Sequence, residues 1–125
     1  MSGALARALA LQRDAAAEGF DWRHLDELWE KLAEESVELR DAVSLGPAAV
    51  EEELGDLLFM AVNLARHLGV DPDRALEACN RKFQRRFGHI ASQLEKLPPL
   101  GHPRRLDAME ALWQEAKRLE KKDAA

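Results

Sequence analysis

Apolar residues along the chain recur at three- and four-residue steps, and Gly and Pro cut the pattern into helix-length pieces. Leu25, Leu28, Leu32, Ser36, Leu39 and Val43 form one series. Val50, Leu54, Leu57, Ala61, Leu64 and Leu68 form a second, and Leu76, Cys79, Phe83, Phe87, Ile90 and Leu94 a third. The pattern predicts a first helix over about residues 4–17, ended by Gly19. A second helix over about 22–44 has Asp21 as its N-cap and Gly46 at its end. Pro47 opens a third, which runs to residue 67 or 68 and stops at Gly69. Asp71 and Pro72 start a fourth, to about residue 96, and after Pro98, Pro99, Gly101 and Pro103 a last helix covers about 106–121. No β-branched alternation and no hairpin dipeptide interrupts this. The expected fold is all-α, a helical bundle of about five helices. Trp22 and Trp29 are expected to pack where the second helix begins, Phe83 and Phe87 to sit in the core, and Cys79 to be buried filler. The broad apolar turn of Leu57, Leu58, Met60 and Ala61 predicts a core completed by dimerisation.

Length and composition narrow this further. At 125 residues, 46% hydrophobic and 33% charged, the chain reads as a single domain over 1–125, with a core at about 20–96 and a C-terminal helix at about 104–121. A lone cysteine excludes an internal disulfide and a cysteine-rich zinc site, and the four histidines show no spacing suited to a metal or a triad. No apolar run approaches the length of a membrane span, and Arg7 interrupts any signal-peptide pattern, so a cytoplasmic protein is expected. The net charge of −5 argues against nucleic acid or an anionic membrane as partner. That sum hides two opposed patches: eight acids against Lys31 and Arg40 over residues 31–56, and seven bases against Glu95 over 81–105.

The acids have helical geometry. In Glu34-Glu35-Ser36-Val37-Glu38, Glu35 and Glu38 share one edge beside the leucine stripe, and Glu34 lies a little further round. In Glu53-Leu54-Gly55-Asp56, the pair Glu53 and Asp56 borders the next stripe. If the two helices pack antiparallel across the short link at 44–47, both edges face one cleft. Four carboxylates there would repel unless a hard divalent ion, Mg²⁺ or Mn²⁺, sat among them. Glu-rich helix faces are commonly just solvated, but these acids border the buried stripe, and Gly55 interrupts a strong helix where a neighbour or ligand could approach closely.

The fourth helix carries Lys82 and Arg86 one turn apart, suited either to a polyphosphate or to pairing with surface acids. Asn80 could bond a base or sugar, or be a plain polar surface residue. Trp113, with Lys117 one turn on, is either a packing anchor or a ring that stacks on a nucleobase.

Taken in order, GFDW (19–22), WEKLAEESVEL (29–39), EEELGDLLFMAVNLARHLG (51–69), NRKFQRRF (80–87) and ALWQEAKR (111–118) resemble the MazG family of nucleoside triphosphate pyrophosphohydrolases, most closely the second, catalytic repeat of its two-repeat bacterial members. The resemblance implies a helical fold built by intertwined dimers. It implies Glu35, Glu38, Glu53 and Asp56 as Mg²⁺ ligands, with Glu34 near the metal or the attacking water. Lys31 and the 82–86 stretch with Lys82, Arg85 and Arg86 then fall at nucleotide- and phosphate-contacting positions, Trp113 at a nucleotide-contacting one and Lys117 at a supporting one, with Asn80 beside them as a candidate substrate contact. Two departures stand out: a first repeat has no counterpart in this sequence, and Arg23 stands where the family often has proline. The activity implied is Mg²⁺-dependent hydrolysis of nucleoside triphosphates to monophosphate and pyrophosphate, a nucleotide-pool house-cleaning reaction, in a homodimer or tetramer. The alternative is a non-catalytic nucleotide-binding or assembly module of the same fold.

Overall fold

The structure, a computed structural model, describes residues 3–124; residues 1, 2 and 125 of the expected domain lie outside the described residues. The described residues form five α-helices and two short 3-10 turns, with no strand among them, as the periodicity predicts. The chain divides into two compact units, one up to Leu76 and one from Glu77.

The first unit holds α1 (Ala4–Ala17), α2 (Leu25–Ala42), a 3-10 turn at Val43–Leu45 and α3 (Pro47–His67). Gly19 ends α1 as expected. At φ 93° it lets the N–H of Phe20 reach Ala15 O and its own N–H reach Ala16 O, which satisfies two free carbonyls. Gly46, at φ 108°, turns the chain into α3, whose first residue is Pro47. Helices α1 and α2 both pack on α3. Leu28, fully buried, joins Met60 and Leu64 in the core, with Trp22, Leu25 and Leu32 against them.

Three expectations for this unit are corrected. Helix α2 begins at Leu25 rather than at 22, and Asp21 is not its N-cap. The Asp21 carboxylate is instead taken by Arg66, His67 and the Trp22 N–H. The helix start is held by Glu27, whose carboxylate accepts from the N–H of His24 (2.9 Å) and of Arg23 (3.1 Å). Trp29 is exposed. The buried lines are also rotated from the predicted stripes: on α2 they run Leu28, Glu35, Ala42, and on α3 Met60 and Leu64 are buried while Leu54, Ala61 and Leu68 are exposed.

The division between the units falls inside α4 (Pro72–Ala91), whose start is capped as predicted, by Asp71 Oδ1 accepting from the N–H of Asp73 and Arg74. Helix α4 ends at Ala91, with a 3-10 turn at Leu94–Lys96 completing the stretch predicted to 96. Helix α5 spans Arg105–Ala124. In the second unit α4 and α5 meet through long side chains: Phe83 lies 5.6 Å from Trp113 and stacks on Phe87 at 5.8 Å, while His89 bonds Glu115. Ile90 of this stripe is buried as expected, but Phe83 and Phe87 remain 55% and 40% exposed and Cys79 is exposed, so the expected burial of these three is not found. Long side chains from α5 alone are too little to cover it. No described helix is long and apolar enough to cross a membrane.

Candidate metal centre

Because the turn at 43–46 is short, α2 and α3 run antiparallel, and residues near 28 face those near 60 while residues 35–38 face 53. This register brings Glu35, Glu38 and Glu53 together, with one carboxylate oxygen of each within 4.8 Å of the others. Glu35 is not at the edge of the buried stripe, as the helical wheel suggested, but in line with it. Seven residues from Leu28 and seven from Ala42, it takes a core position and is only 5% exposed.

One Glu35 oxygen lies 3.3 Å from Lys31 Nζ, which also reaches Glu34 at 3.4 Å. The other Glu35 oxygen, like one oxygen of Glu53, is buried without a hydrogen-bond partner among the described residues. A buried carboxylate oxygen left unpaired is costly. Burial accordingly pushes the Glu35 carboxyl above its ordinary range, opposed by Lys31 and reinforced by the Glu38 charge. Glu53 is raised by loss of solvent, then by the charges of Glu38, Asp56, Glu35 and Glu52. Lys31 is held above its usual value by Glu35 and then Glu34.

Asp56, one turn along α3 from Glu53, adds charge but does not join the 4.8 Å triplet. Glu34 is largely exposed at the rim. Three acids with one lysine leave an excess of negative charge around two orphaned oxygens. An all-oxygen donor set of this kind fits a hard divalent cation such as Mg²⁺ or Mn²⁺. Gly55 carries no contact: a Cβ there would meet nothing within 4 Å, so the close approach expected from its position is not made within the chain.

Sixty-nine residues, 23–91, match the MazG nucleotide pyrophosphohydrolase domain. The chain belongs to this family. It is 40% identical over 114 residues, 91% of its length, to the nucleoside triphosphate pyrophosphohydrolase/pyrophosphatase MazG of Thermotoga maritima. Over 123 residues, 94% of its length, it is 43% identical to the nucleoside triphosphate pyrophosphohydrolase of Escherichia coli K12. It spans 44% and 46% of those relatives, less than half of each.

Of the basic residues expected to contact the substrate, Lys31 lies in the first unit and Lys82, Arg85, Arg86 and Lys117 in the second. Arg86 is mostly buried, with its guanidinium 5.5 Å from the Trp113 ring and two bonds of 3.1 Å to one oxygen of Glu120. Arg85 lies 3.6 Å from the other Glu120 oxygen, and these arginines, Arg86 foremost, hold the Glu120 carboxyl below its ordinary range. Asn80 and Lys82 are exposed and Lys117 half-buried. Arg85, Arg86 and Trp113 are therefore gathered around Glu120, a residue that sequence reasoning missed because an acid at a helix end carries no distinctive pattern.

A second feature had no sequence signal. Asp21 receives both Arg66 terminal nitrogens, at 2.8 and 2.9 Å, and His67 at 2.9 Å. Arg66 also holds Asn63 (2.9 Å) and Gln12 (3.4 Å), both buried. Beside this network lies a mainly apolar cavity of about 370 Å³ walled by Leu11, Phe20, Trp22, Phe59 and Met60.

Proposed function

We propose that this chain hydrolyses nucleoside triphosphates to nucleoside monophosphate and pyrophosphate, using a divalent cation, Mg²⁺ or Mn²⁺, held by Glu35, Glu38 and Glu53 with Asp56 alongside. The observation that carries this reading is the convergence of three carboxylates around two orphaned buried oxygens in a chain of this family. The cation when bound would neutralise phosphate charge and lower the pKa of a water to make a nucleophile at neutral pH.

The chain's own groups do the rest. Glu35, fixed in the packed α2–α3 seam, holds its donor oxygens in place, and Glu34, at the exposed rim, would orient or deprotonate the attacking water. By the family resemblance, Lys31 and, from the second unit, Lys82, Arg85 and Arg86 would bind phosphate oxygens and stabilise the charge that moves onto the leaving pyrophosphate. Asn80, Trp113 and Lys117 hold the nucleoside. Exposed Val37, Leu54, Leu58 and Phe59 on α2 and α3 support a homodimer or tetramer, and the reaction suits removal of unwanted nucleotides from the pool.

Incubation with a panel of nucleoside triphosphates and Mg²⁺ tests this. Pyrophosphate and monophosphate should appear in equal amounts, and EDTA or Glu53→Gln should abolish them. Release of inorganic phosphate alone, or turnover indifferent to EDTA, refutes the reading. Nucleotide binding without turnover selects the non-catalytic module instead.

A further inference from the structure

Lys31 occupies an unusual place for a surface lysine. Its ammonium lies 3.3 Å from an oxygen of the buried Glu35 and 3.4 Å from exposed Glu34, one α2 turn from each. Glu35 is a member of the carboxylate triplet, and its second oxygen has no hydrogen-bond partner among the described residues. The lysine thus holds a positive charge directly beside a site built for a cation. Its own side chain keeps about a third of its surface in solvent, so its four-carbon stem has room to swing.

We propose that Lys31 is a built-in counter-ion: it neutralises Glu35 while the metal site is empty, and the incoming divalent cation displaces its ammonium toward the phosphates of the substrate. This rests on the metal-dependent reading above and adds a regulatory consequence to it. Metal alone must break the Lys31–Glu35 pair and tolerate the ammonium nearby, so it binds weakly. When a nucleotide supplies phosphate oxygens to the displaced ammonium, that cost is removed, and metal and nucleotide each tighten the other by the same factor. The site is then charged with metal mainly when substrate is present.

Coulomb's law sets the scale. Even at the dielectric constant of water, a divalent ion and an ammonium about 5 Å apart repel enough to weaken binding about tenfold. Mn²⁺ binding, measured by the resonance of free Mn²⁺, should therefore tighten about tenfold in Lys31→Met without nucleotide, and stay near wild type in Lys31→Arg. An α,β-methylene nucleoside triphosphate should tighten Mn²⁺ binding to the wild type and do so far less in Lys31→Met. Independently of any variant, the Nζ resonance of Lys31 in the ¹⁵N-lysine-labelled wild-type chain should move when Mg²⁺ alone is added.

Unchanged or weaker Mn²⁺ binding by Lys31→Met overturns the inference while leaving the metal site standing, as does a Lys31 resonance that ignores Mg²⁺. Failure of both wild type and variant to bind Mn²⁺ overturns the metal reading itself.

Discussion

Replacing Asp21 by Asn tests the tie between the loop before α2 and the end of α3. The carboxylate receives two charge-assisted bonds from Arg66, at 2.8 and 2.9 Å, a third from His67 and a fourth from the Trp22 N–H. Bonds to charged groups contribute about 1.5–3 kcal/mol in protected settings. Here the Asp21 side chain is 28% exposed and Arg66 14%, so solvent screening reduces the figure. Arg66 also keeps Asn63 and Gln12, and an Asn at position 21 can still accept from Trp22. The expected loss at neutral pH is about 1–2 kcal/mol, read as a lower urea midpoint with unchanged slope at fixed protein concentration.

The pH dependence carries a definite sign. Arg66 foremost, with His67 and Trp22, holds the Asp21 carboxyl far below its usual range, from a reference value of 3.8. Its stabilisation is full above the unfolded-state value and is lost as pH falls from there through the folded-state value. The advantage of wild type over Asp21→Asn should therefore shrink below about pH 4 by up to about 1.4 kcal/mol per pH unit. Equal stability at neutral pH, or a difference that persists undiminished in acid, refutes the reasoning.

Three further outcomes are expected. Leu28→Ala, at the one fully buried leucine of α2, should cost about 2–5 kcal/mol in chemical denaturation, with the α-helical spectrum retained. Gly46→Ala should destabilise by about 1–2 kcal/mol because φ is 108° there, whereas Gly55→Ala, in an open mid-helix position, should stabilise by about 1 kcal/mol; melting curves of the two should move in opposite directions. Trp113→Ala should weaken nucleotide binding by about 1–3 kcal/mol in calorimetry while leaving Mn²⁺ binding unchanged.

Much of the architecture was legible because helices announce themselves locally. Gly19, Gly46, Gly69 and the Asp71-Pro72 pair stop or start helices through backbone chemistry that needs no distant partner, and the structure puts the boundaries there. The start of α2 departs from the sequence pattern because Asp21 is by residue type an equally good N-cap. Only the fold reveals that Arg66, forty-five positions away, claims it, leaving Glu27 to hold the helix end.

The acidic residues show the same division. Their types and three-residue spacings were plain in the sequence, and with the family's motifs they pointed to a divalent cation. What spacing could not say is which carboxylate is buried. The apolar residues of α2 and α3 permit several rotations of one helix on the other, and the leucine stripe of α2 taken alone leaves Glu35 at its margin. Packing α2 antiparallel on α3 chose the rotation in which Leu28, Glu35 and Ala42 share the buried line. That choice excludes solvent from Glu35, orphans one of its oxygens and makes Lys31 its counter-charge. Sequence by itself determined the helices and the kinds of side chain each one carries, because both follow from local geometry. Tertiary structure alone decided which of those side chains lose water, because burial depends on what lies across the interface.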